Sequence, residues 1–290
     1  MSILVIGGTG RVGSQIVSRL LDQDTKVQVM THSADKLATL PAGVEGIVGD
    51  LADPPSLRRA FGGIESLVLI TAVHPDETAR GQFAVKAARK AGIKKIVFMS
   101  VVMPPGSERI PHFASKIPIE QAIKDSGVAY TILRPNYFFQ NDLRLREAIV
   151  KYGVWPQPIG SVGLSSIDVR DIADAAVNSL RKSGHDGKTY NLNGPDALTG
   201  KGVAAVYSRH LGTEVNYGGD DLDSWAEQAN KMLPAWMVHD FRIMYQFFQD
   251  HGLRAEQSEM AKTELVLLHP PRSFDAFVAE TVSLWKQVAE

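Results

Sequence analysis

The residues best suited to do chemistry near the amino terminus form a glycine-rich turn, Gly7-Gly8-Thr9-Gly10-Arg11-Val12-Gly13. An apolar run enters this turn and an amphipathic stretch leaves it, which predicts a strand, a turn and a helix in succession. Glycine allows close approach of the backbone to a phosphate, and a helix N-terminus offers free N–H groups. The pattern therefore predicts a site for the pyrophosphate of a dinucleotide, with a ligand-free glycine turn as the alternative. The predicted contacts are Gly7, Thr9, Gly10, Arg11, Val12 and Gly13.

The end of the second predicted strand bears on the choice between NADP(H) and NAD(H). An NAD site usually carries an acidic residue there, which accepts a hydrogen bond from the ribose 2′-hydroxyl. This sequence instead has Thr31, His32 and Ser33, and the first acid is Asp35. Because none of the three repels a 2′-phosphate, the sequence favours NADP(H) over NAD(H). An exposed loop histidine is an equally good interpretation of His32.

Further cofactor contacts are predicted where the third and fourth strands end, since ligands of an open parallel sheet bind at its carboxyl edge. Asp50 and Leu51 follow the third strand, where a carboxylate and an apolar side chain can flank an adenine ring. Ile70, Thr71 and Ala72 lie at the end of the fourth. For Asp50, a loop or capping role is an interpretation of equal weight.

The elements that must position these residues are predicted from the hydrophobic pattern. Short runs that are mostly β-branched and nearly continuous in apolarity are typical of strands covered on both faces. These runs are residues 3–6, 26–30, 44–48, 66–70, 95–100 and 129–133, and residues 188–192 are predicted as a further strand. Between them lie apolar stripes at helical spacing, such as Val12, Ile16 and Leu20. The alternation predicts an α/β fold with a doubly wound parallel sheet of the Rossmann type.

The same pattern predicts how the chain is divided. Residues 1–135 are expected to form the dinucleotide-binding core, and residues 136–290 a smaller, mostly helical substrate lobe. A segment at about 165–192 is expected to return to the core. The aromatic-rich stretch 236–248 is a candidate lid over the substrate, although aromatic residues at helical spacing more often pack in a core.

Composition excludes several classes of function. The chain has 290 residues, a formal net charge of −1 and no cysteine, so disulfides, cysteine nucleophiles and iron–sulfur clusters are excluded. Its eight histidines show no metal-ligand spacing with acids, which predicts no metal site. The charge balance predicts no nucleic-acid partner, and no apolar run is long enough to span a membrane. We therefore expect a cytoplasmic protein, a monomer or a homodimer, that acts on a small molecule.

Several motifs, taken in order, resemble the NmrA-like family of atypical short-chain dehydrogenases/reductases. They are the glycine spacing of residues 7–13, Gly49-Asp50 and residues 87–97, 134–141, 168–173 and 188–192. The resemblance covers the chain to about Asn216. The family includes NADPH-dependent quinone reductases and triphenylmethane reductase, and also redox-sensing regulators that bind the dinucleotide without turning it over. The resemblance implies the Rossmann fold and the cofactor, with hydride transfer as the expected activity.

The resemblance also identifies candidate catalytic residues. Typical short-chain dehydrogenases carry Tyr-x-x-x-Lys on one helix, where tyrosine donates a proton and lysine binds the nicotinamide ribose, and a serine closes a preceding strand. Lys116 matches the lysine, His112 replaces the tyrosine and Ser100 closes the fifth strand. Pro111 suits a first helical turn, so His112 is expected near a helix N-terminus, which favours a neutral imidazole. The alternatives are a solvated lysine, a structural histidine and a turn-forming serine.

The acceptor is expected to lie against the nicotinamide. The cofactor contacts predicted there are Pro135, Asn136 and Tyr137, beside Lys116. The predicted substrate-pocket residues are His74, Met103, Phe138, Trp155, Trp236 and Tyr245. The expected function is an NAD(P)H-dependent oxidoreductase that transfers hydride to a small aromatic or quinone-like acceptor. The alternatives are a non-catalytic NADP(H)-sensing regulator with a protein partner and, less favoured because His112 replaces the tyrosine, an NAD-dependent epimerase or isomerase.

Overall fold

A seven-stranded parallel sheet forms the centre of the protein, in a computed structural model that describes residues 1–21 and 25–287. The strands are β1 Ser2–Ile6, β2 Lys26–Thr31, β3 Val44–Val48, β4 Ser66–Ile70, β5 Lys95–Met99, β6 Ala129–Pro135, β7 Val154–Trp155, β8 Lys188–Leu192 and β9 Asn216–Tyr217. The central sheet has the order β3-β2-β1-β4-β5-β6-β8, and each neighbouring pair is parallel. β7 and β9 form a separate two-stranded sheet. The predicted doubly wound α/β fold is confirmed.

Helices surround this sheet. They are α1 Arg11–Leu21, α2 Pro54–Ala60, α3 Glu77–Lys90, α4 Pro111–Ala114, α5 Lys116–Asp125, α6 Arg146–Tyr152, α7 Val169–Arg181, α8 Gly200–Leu211, α9 Leu222–Ala229, α10 Ala235–His251, α11 Gln257–Leu267 and α12 Phe274–Gln287. Within residues 1–21 and 25–287, no helix combines the length and the apolar character that a membrane crossing requires.

The seven strands of the central sheet match the predicted ones to within two residues at each end, whereas β7 and β9 were not predicted. β5 ends at Met99, one residue before the predicted Ser100, and β6 continues two residues past Leu133 to Pro135. Proline has no N–H to donate to a neighbouring strand. It is tolerated at this strand end because its carbonyl makes the hydrogen bond, accepting from the Val102 N–H at 3.1 Å. The extension brings Pro135 and the residues after it to the carboxyl edge of the sheet.

The helix that was expected to carry both His112 and Lys116 is divided in two. α4 ends at Ala114 and α5 begins at Lys116, although Ser115 between them keeps helical dihedral angles (φ −60°, ψ −25°). Pro118 explains the division, because proline has no N–H to donate to the carbonyl of Ala114 four residues earlier. The two candidate residues still lie one helical turn apart.

Helices cover both faces of the sheet, and each face has its own apolar core. On one face, α1 and α7 pack against each other and on the strands through a cluster that includes Val5, Ile16 and Ile172. On the other face, α3 and α5 enclose a cluster that includes Phe98 and Ile119. Strands buried on both sides have no polar face, which explains why their sequences are nearly continuous in apolarity.

The second half of the chain extends the central sheet and also builds a core of its own. β8 pairs with β6, and α7 and α11 pack beside it. Helices α8, α10 and α12 enclose an apolar core that includes Tyr207, Phe248 and Phe277. This core lies over the carboxyl edge of the sheet, because its cluster also contains Val102 and Phe113 from the segments that follow β5.

The division of the chain at residue 135 stays a prediction. In the segment 165–192, which was expected to return to the core, α7 and β8 lie against the sheet. α11 does so as well, which the hydrophobic pattern did not indicate. Residues 288–290 of the predicted second lobe lie outside the described residues.

Asp142 is a carboxylic acid inside the core of this second half. It is 3% exposed, and its Oδ2 accepts a hydrogen bond from the Tyr207 hydroxyl at 3.2 Å. Burial raises the pKa of Asp142 from 3.8 to about 7, because the charged carboxylate loses its hydration there. A carboxyl group with a higher pKa in the folded state takes up a proton on folding, so the protein loses stability as the pH rises from 3.8 to about 7.

We expect Asp142→Asn to remove most of this pH dependence, because asparagine keeps an oxygen for Tyr207 but has no charge to desolvate. Between about pH 5 and about pH 8, the wild-type protein should lose roughly 2 kcal/mol more free energy of unfolding than the variant. Denaturant unfolding at the two pH values measures the difference. Asp196→Asn, which changes an exposed carboxylate, should behave like the wild type. Equal pH dependence in all three proteins would contradict the argument from burial.

Candidate functional site

A cavity of about 330 Å³ opens at the carboxyl edge of the sheet, where β4, β5 and β6 end. Most of its wall is apolar or aromatic, and a few polar side chains converge on it. Of the residues predicted for the site, it is lined by Thr71, Ser100, His112, Lys116, residues 135–138 and Tyr245. Such a concave, mostly apolar surface with a few placed polar groups is typical of a small-molecule site.

α10 forms one wall of this cavity. Phe241, Met244, Tyr245 and Phe248 recur at the spacing of one helical face, and all four line the cavity. Phe248 meets the ring of Tyr137 edge-on, with centroids 6.0 Å apart, so α10 contacts the segment after β6. Part of the aromatic stretch 236–248 therefore belongs to the site, Phe247 packs in the core, and Trp236 is exposed.

The glycine turn joins β1 to α1 next to the end of β4. Gly7 has a left-handed backbone (φ +79°), and a Cβ on it would lie 2.9 Å from the Cβ and the carbonyl oxygen of Ile70. A Cβ on Gly13 would overlap the carbonyl of Gly7, because the first turn of α1 lies directly against it. Gly8, which the motif analysis passed over, would clash with Val29 at 2.8 Å. Glycine is required at all three positions for steric reasons.

The start of α1 leaves amide groups available to an anion. The first hydrogen bond of the helix runs from the Ser14 N–H to the Gly10 carbonyl, so the N–H groups of Arg11, Val12 and Gly13 precede it. The positive end of the helix dipole lies at the same place, and the first turn carries no acid. These residues fit the pyrophosphate of a dinucleotide.

Arg11 links the glycine turn to the segment after β6. Its guanidinium donates a hydrogen bond to the carbonyl oxygen of Gln140. Burial, and then the positive charge of nearby Arg144, lower the pKa of Arg11. Arg144 itself lines the cavity, so two like charges lie between the turn and the cavity, where a bound anion would relieve their repulsion.

The end of β2 is free of acids. Thr31 is buried, and its Oγ1 accepts a hydrogen bond from the Ser33 N–H at 3.3 Å, so this hydroxyl shapes the turn. His32 and Lys36 are exposed. In the described ranges, no carboxylate lies within ion-pair distance of either. These groups suit a 2′-phosphate by charge and by access.

Asp50 has local partners. Its carboxylate accepts a hydrogen bond from the Ala52 N–H at 2.9 Å, and Arg80 lies 3.9 Å away. The Ser56 hydroxyl bonds to both the N–H and the carbonyl of Asp50. These are the contacts of a loop-capping residue, which was one of the two interpretations of Asp50. A contact of Asp50 or Leu51 with adenine stays a prediction.

Lys116 is the centre of a buried polar cluster. Its Nζ donates a hydrogen bond to Thr71 Oγ1 at 2.9 Å and forms an ion pair with Glu77. Thr71 and Ser115 donate to the two oxygens of Glu77 at 2.5 and 2.7 Å. The lysine side chain is 7% exposed and that of Glu77 is 0%, so the interpretation of Lys116 as a solvated surface residue is wrong. Burial lowers the pKa of Lys116, against the opposing effect of Glu77.

His112 is paired with an acid from α10. Its Nδ1 and Asp240 Oδ1 share a hydrogen bond of 2.6 Å, and the two side chains are 12% and 6% exposed. The ring is fixed further by edge contacts with Phe113 and Phe241, at centroid distances of 4.8 and 5.6 Å. Nε2 has no hydrogen-bond partner in the described part of the chain, and the ring lines the cavity. His112 therefore presents Nε2 to whatever the cavity holds.

Ser100 lines the cavity, but its hydroxyl is directed elsewhere. It donates a hydrogen bond to Glu120 at 2.6 Å, and Glu120 forms an ion pair with Arg134. These contacts connect β5, α5 and β6. They match the structural interpretation of Ser100, and its catalytic role stays a prediction.

Four residues predicted for the substrate pocket lie outside the lining of the cavity. Trp155 is 1% exposed in the core of the second half, 6.0 Å from the ring of Tyr217. His74 accepts a hydrogen bond from the Asp76 N–H at 3.0 Å on the loop after β4. Met103 is half-buried after β5, and Trp236 is exposed at the start of α10. These four residues were predicted because they lie near the expected site along the chain, and position along the chain does not determine the direction of a side chain.

Three charged residues of the site were missed. Glu77 begins α3, Asp240 lies in α10 and Arg144 lies in the short segment after β6. A glutamate at a helix start is a common pattern, and so is a charged residue in an amphipathic helix. Asp240 is 128 residues from His112, so no local signal could have joined them.

The fold and the site define a Rossmann-type α/β protein with a small-molecule cavity at the carboxyl edge of its sheet. The sequence model of the NmrA-like family matches residues 1–278, and the chain belongs to that family. The resemblance found in the motifs is confirmed, and it extends well beyond Asn216, where the motifs had faded.

Relatives with described activities are similar to the chain over most of its length. An NAD(P)H azoreductase of Xenophilus azovorans is 35% identical over 230 residues, which are 78% of this chain and 79% of that protein. Quinone oxidoreductase 2 of Escherichia coli is 28% identical over 219 residues, 74% of this chain and 76% of that protein. The structure of Citrobacter sp. triphenylmethane reductase complexed with NADP(H) has a TM-score of 0.85 at 25% identity and covers 96% of this chain and 99% of that one.

We expect Gly13→Ala to disrupt the turn, because the added methyl group would meet backbone atoms of Gly7 that cannot move aside. Overpacking of this kind should cost about 3 kcal/mol of stability. It should also weaken binding of NADPH, since the amides at the start of α1 would be displaced. Thermal unfolding and fluorescence titration with NADPH measure the two effects. Gly62→Ala is the matched control, because its Cβ would meet nothing closer than 3.5 Å; equal behaviour of the two variants would refute the close approach of α1.

Proposed function

We propose that the protein is an NAD(P)H-dependent reductase that transfers hydride to a small aromatic or quinone-like acceptor, with NADPH as the preferred cofactor. The observation that carries the proposal is the aromatic cavity at the carboxyl edge of the sheet, which holds Lys116 and His112. The azoreductase, the quinone oxidoreductase and the triphenylmethane reductase that resemble the chain support it, because their names describe the reduction of conjugated aromatic or quinoid compounds.

Residues at the edge of the sheet are placed to bind three different parts of the cofactor. The amides of Arg11, Val12 and Gly13 would hold the pyrophosphate, and His32 and Ser33, where β2 ends, would bind the 2′-phosphate. Lys116 would bind the hydroxyls of the nicotinamide ribose. Bound NADPH supplies the hydride.

Glu77 holds Lys116 in the position that this role requires. A lysine side chain has many rotamers, and an ion pair with a buried carboxylate together with a hydrogen bond to Thr71 restricts it to one. The ammonium then needs no reorganisation when a ribose hydroxyl arrives. Catalysis depends mainly on such positioning of the acceptor against the cofactor in a pocket that excludes water.

His112 supplies the proton that accompanies the hydride. Asp240 holds Nδ1–H, which orients the ring and leaves Nε2 toward the cavity. In the protonated ring, Nε2–H donates to the acceptor atom that gains negative charge, and the neutral ring then recovers a proton from water.

The size of the cavity and the net charge of the chain bear on the kind of substrate. A cavity of about 330 Å³ suits a small molecule, and a formal net charge of −1 offers no attraction for nucleic acid. A cytoplasmic location and a monomeric or homodimeric state are part of the proposal and derive from the sequence.

The proposed function is tested with purified protein, NADPH or NADH, and a panel of quinones, azo dyes and triphenylmethane dyes, following the absorbance of the reduced cofactor. We expect turnover of some acceptors, with NADPH preferred. Lys116→Met should lower kcat/KM about a hundredfold, because the ribose loses its anchor. Lys86→Met, which changes an exposed lysine of α3, is the control. Tight binding of NADPH without turnover of any acceptor would contradict the reductase and favour the sensing regulator.

For the proton donor, we expect His112→Gln to lower kcat roughly tenfold to hundredfold, because water is a less well-placed acid. The rate of His112→Gln should depend less on pH than the rate of the wild type, because glutamine does not titrate. Asp240→Asn should fall between the two, since the ring stays but is poorly oriented. The control is His239→Gln, an exposed neighbour on α10. A pH profile of His112→Gln that parallels the wild type would exclude His112 as the donor.

A further inference from the structure

We propose that the acceptor is an aromatic molecule with an anionic substituent, a carboxylate or a sulfonate, and that Arg144 at the mouth of the cavity binds that substituent. This inference rests on the proposed function, because it names the substrate class of the same cavity. The observation behind it is that the basic side chains of the cavity differ in whether they are paired with acids.

Two of the three cationic side chains that line the cavity are already paired with acids. Lys116 forms its ion pair with Glu77, and His112 is bonded to Asp240. Arg144 has no such partner: within the described ranges, no carboxylate oxygen lies within 4.0 Å of its guanidinium. Of these three side chains, Arg144 is therefore the one that forms no ion pair with the residues that the structure describes.

The acid nearest to Arg144 in sequence is not paired with it. Asp142 is two residues away, and the charge of Arg144 acts to lower its pKa, but Asp142 is buried, its Oδ2 accepts a hydrogen bond from Tyr207 in the core, and burial raises its pKa to about 7. Arg11 is close enough for its pKa to be lowered by the charge of Arg144, so this part of the mouth carries two positive charges. An incoming anion would reduce their mutual repulsion as well as pair with Arg144.

The rest of the wall suits an aromatic body. Tyr137, Phe241 and Phe248 line the cavity together with Met244, so the rings of an acceptor would lie against aromatic and apolar side chains. Arg144 is exposed and adjoins this apolar wall, so an acceptor can place its rings inside and its anionic group at the mouth. A planar guanidinium binds the oxygens of a carboxylate or a sulfonate through parallel hydrogen bonds.

The competing role for Arg144 is in the cofactor site. Arg11 belongs to the glycine turn, so both arginines could serve the pyrophosphate instead of the acceptor. The two roles predict different consequences of removing Arg144. Loss of an acceptor contact changes the preference between charged and neutral acceptors, whereas loss of a cofactor contact changes the affinity for NADPH with every acceptor alike.

The kinetic experiment compares 1,2-naphthoquinone-4-sulfonate with 1,2-naphthoquinone at saturating NADPH. We expect the wild type to show a KM about tenfold lower for the sulfonate, and this advantage should shrink as ionic strength rises. Arg144→Met should abolish the advantage and leave the KM for the neutral quinone unchanged. Arg89→Met, which changes an exposed arginine of α3, is the control and should behave like the wild type. Equal KM values for the two quinones in the wild type would overturn the proposal.

A binding experiment tests the same inference without turnover. Calorimetry measures the affinity of naphthalene-2-sulfonate and of the neutral naphthalene-2-sulfonamide, with and without NADP⁺ bound. If the wild type prefers the sulfonate and Arg144→Met does not, the proposal for Arg144 is supported even if no acceptor is reduced. A failure of the proposed reductase function is therefore distinguished from a failure of the proposal for Arg144. Weaker binding of NADP⁺ to Arg144→Met with an unchanged ligand preference would overturn it and assign Arg144 to the cofactor.

Discussion

The site depends on one constraint, which is that all seven strands of the central sheet run in the same direction. Parallel strands end at one edge, so the segments that follow β1, β4, β5 and β6 meet there although they are far apart in sequence. The glycine turn after β1 lies beside β4, where the strand order reverses. The cavity opens beside the same edge. A molecule that spans from the turn to the cavity contacts residues from all of these segments.

The second half of the chain completes this edge by means of a few polar contacts. Arg11 reaches the carbonyl of Gln140, and Asp240 on α10 pairs with His112 on α4. Buried contacts of a base with an acid, such as those of His112 and Lys116, contribute little net stability, because removing polar and charged groups from water costs about as much as their attraction returns. Their position in the wall of the cavity agrees better with a chemical role. Asp240 and Glu77 orient the imidazole of His112 and the ammonium of Lys116 before any ligand arrives.

Much of the fold could be predicted because its signals are local. The strands are short apolar runs, and their observed ends differ from the predicted ones by two residues at most. The site was predicted less completely. Lys116, His112 and residues 135–138 lie where the pattern placed them, in the wall of the cavity, whereas Trp155 lies in the core of the second half. Trp155 could not be placed from the sequence, because an aromatic residue near a predicted pocket suits a core equally well.

The sequence by itself determined the glycine turn, the parallel sheet and the absence of an acid where β2 ends, because each is a property of adjacent residues. Only the tertiary structure showed that Glu77 holds Lys116, that Asp240 holds His112 and that Arg144 forms no ion pair with residues 1–21 and 25–287. The physical reason is distance along the chain: Glu77 and Lys116 are 39 residues apart, and His112 and Asp240 are 128 apart. Such pairs form when separate elements pack together, and the pairing of charges across that packing determines what the cavity can bind.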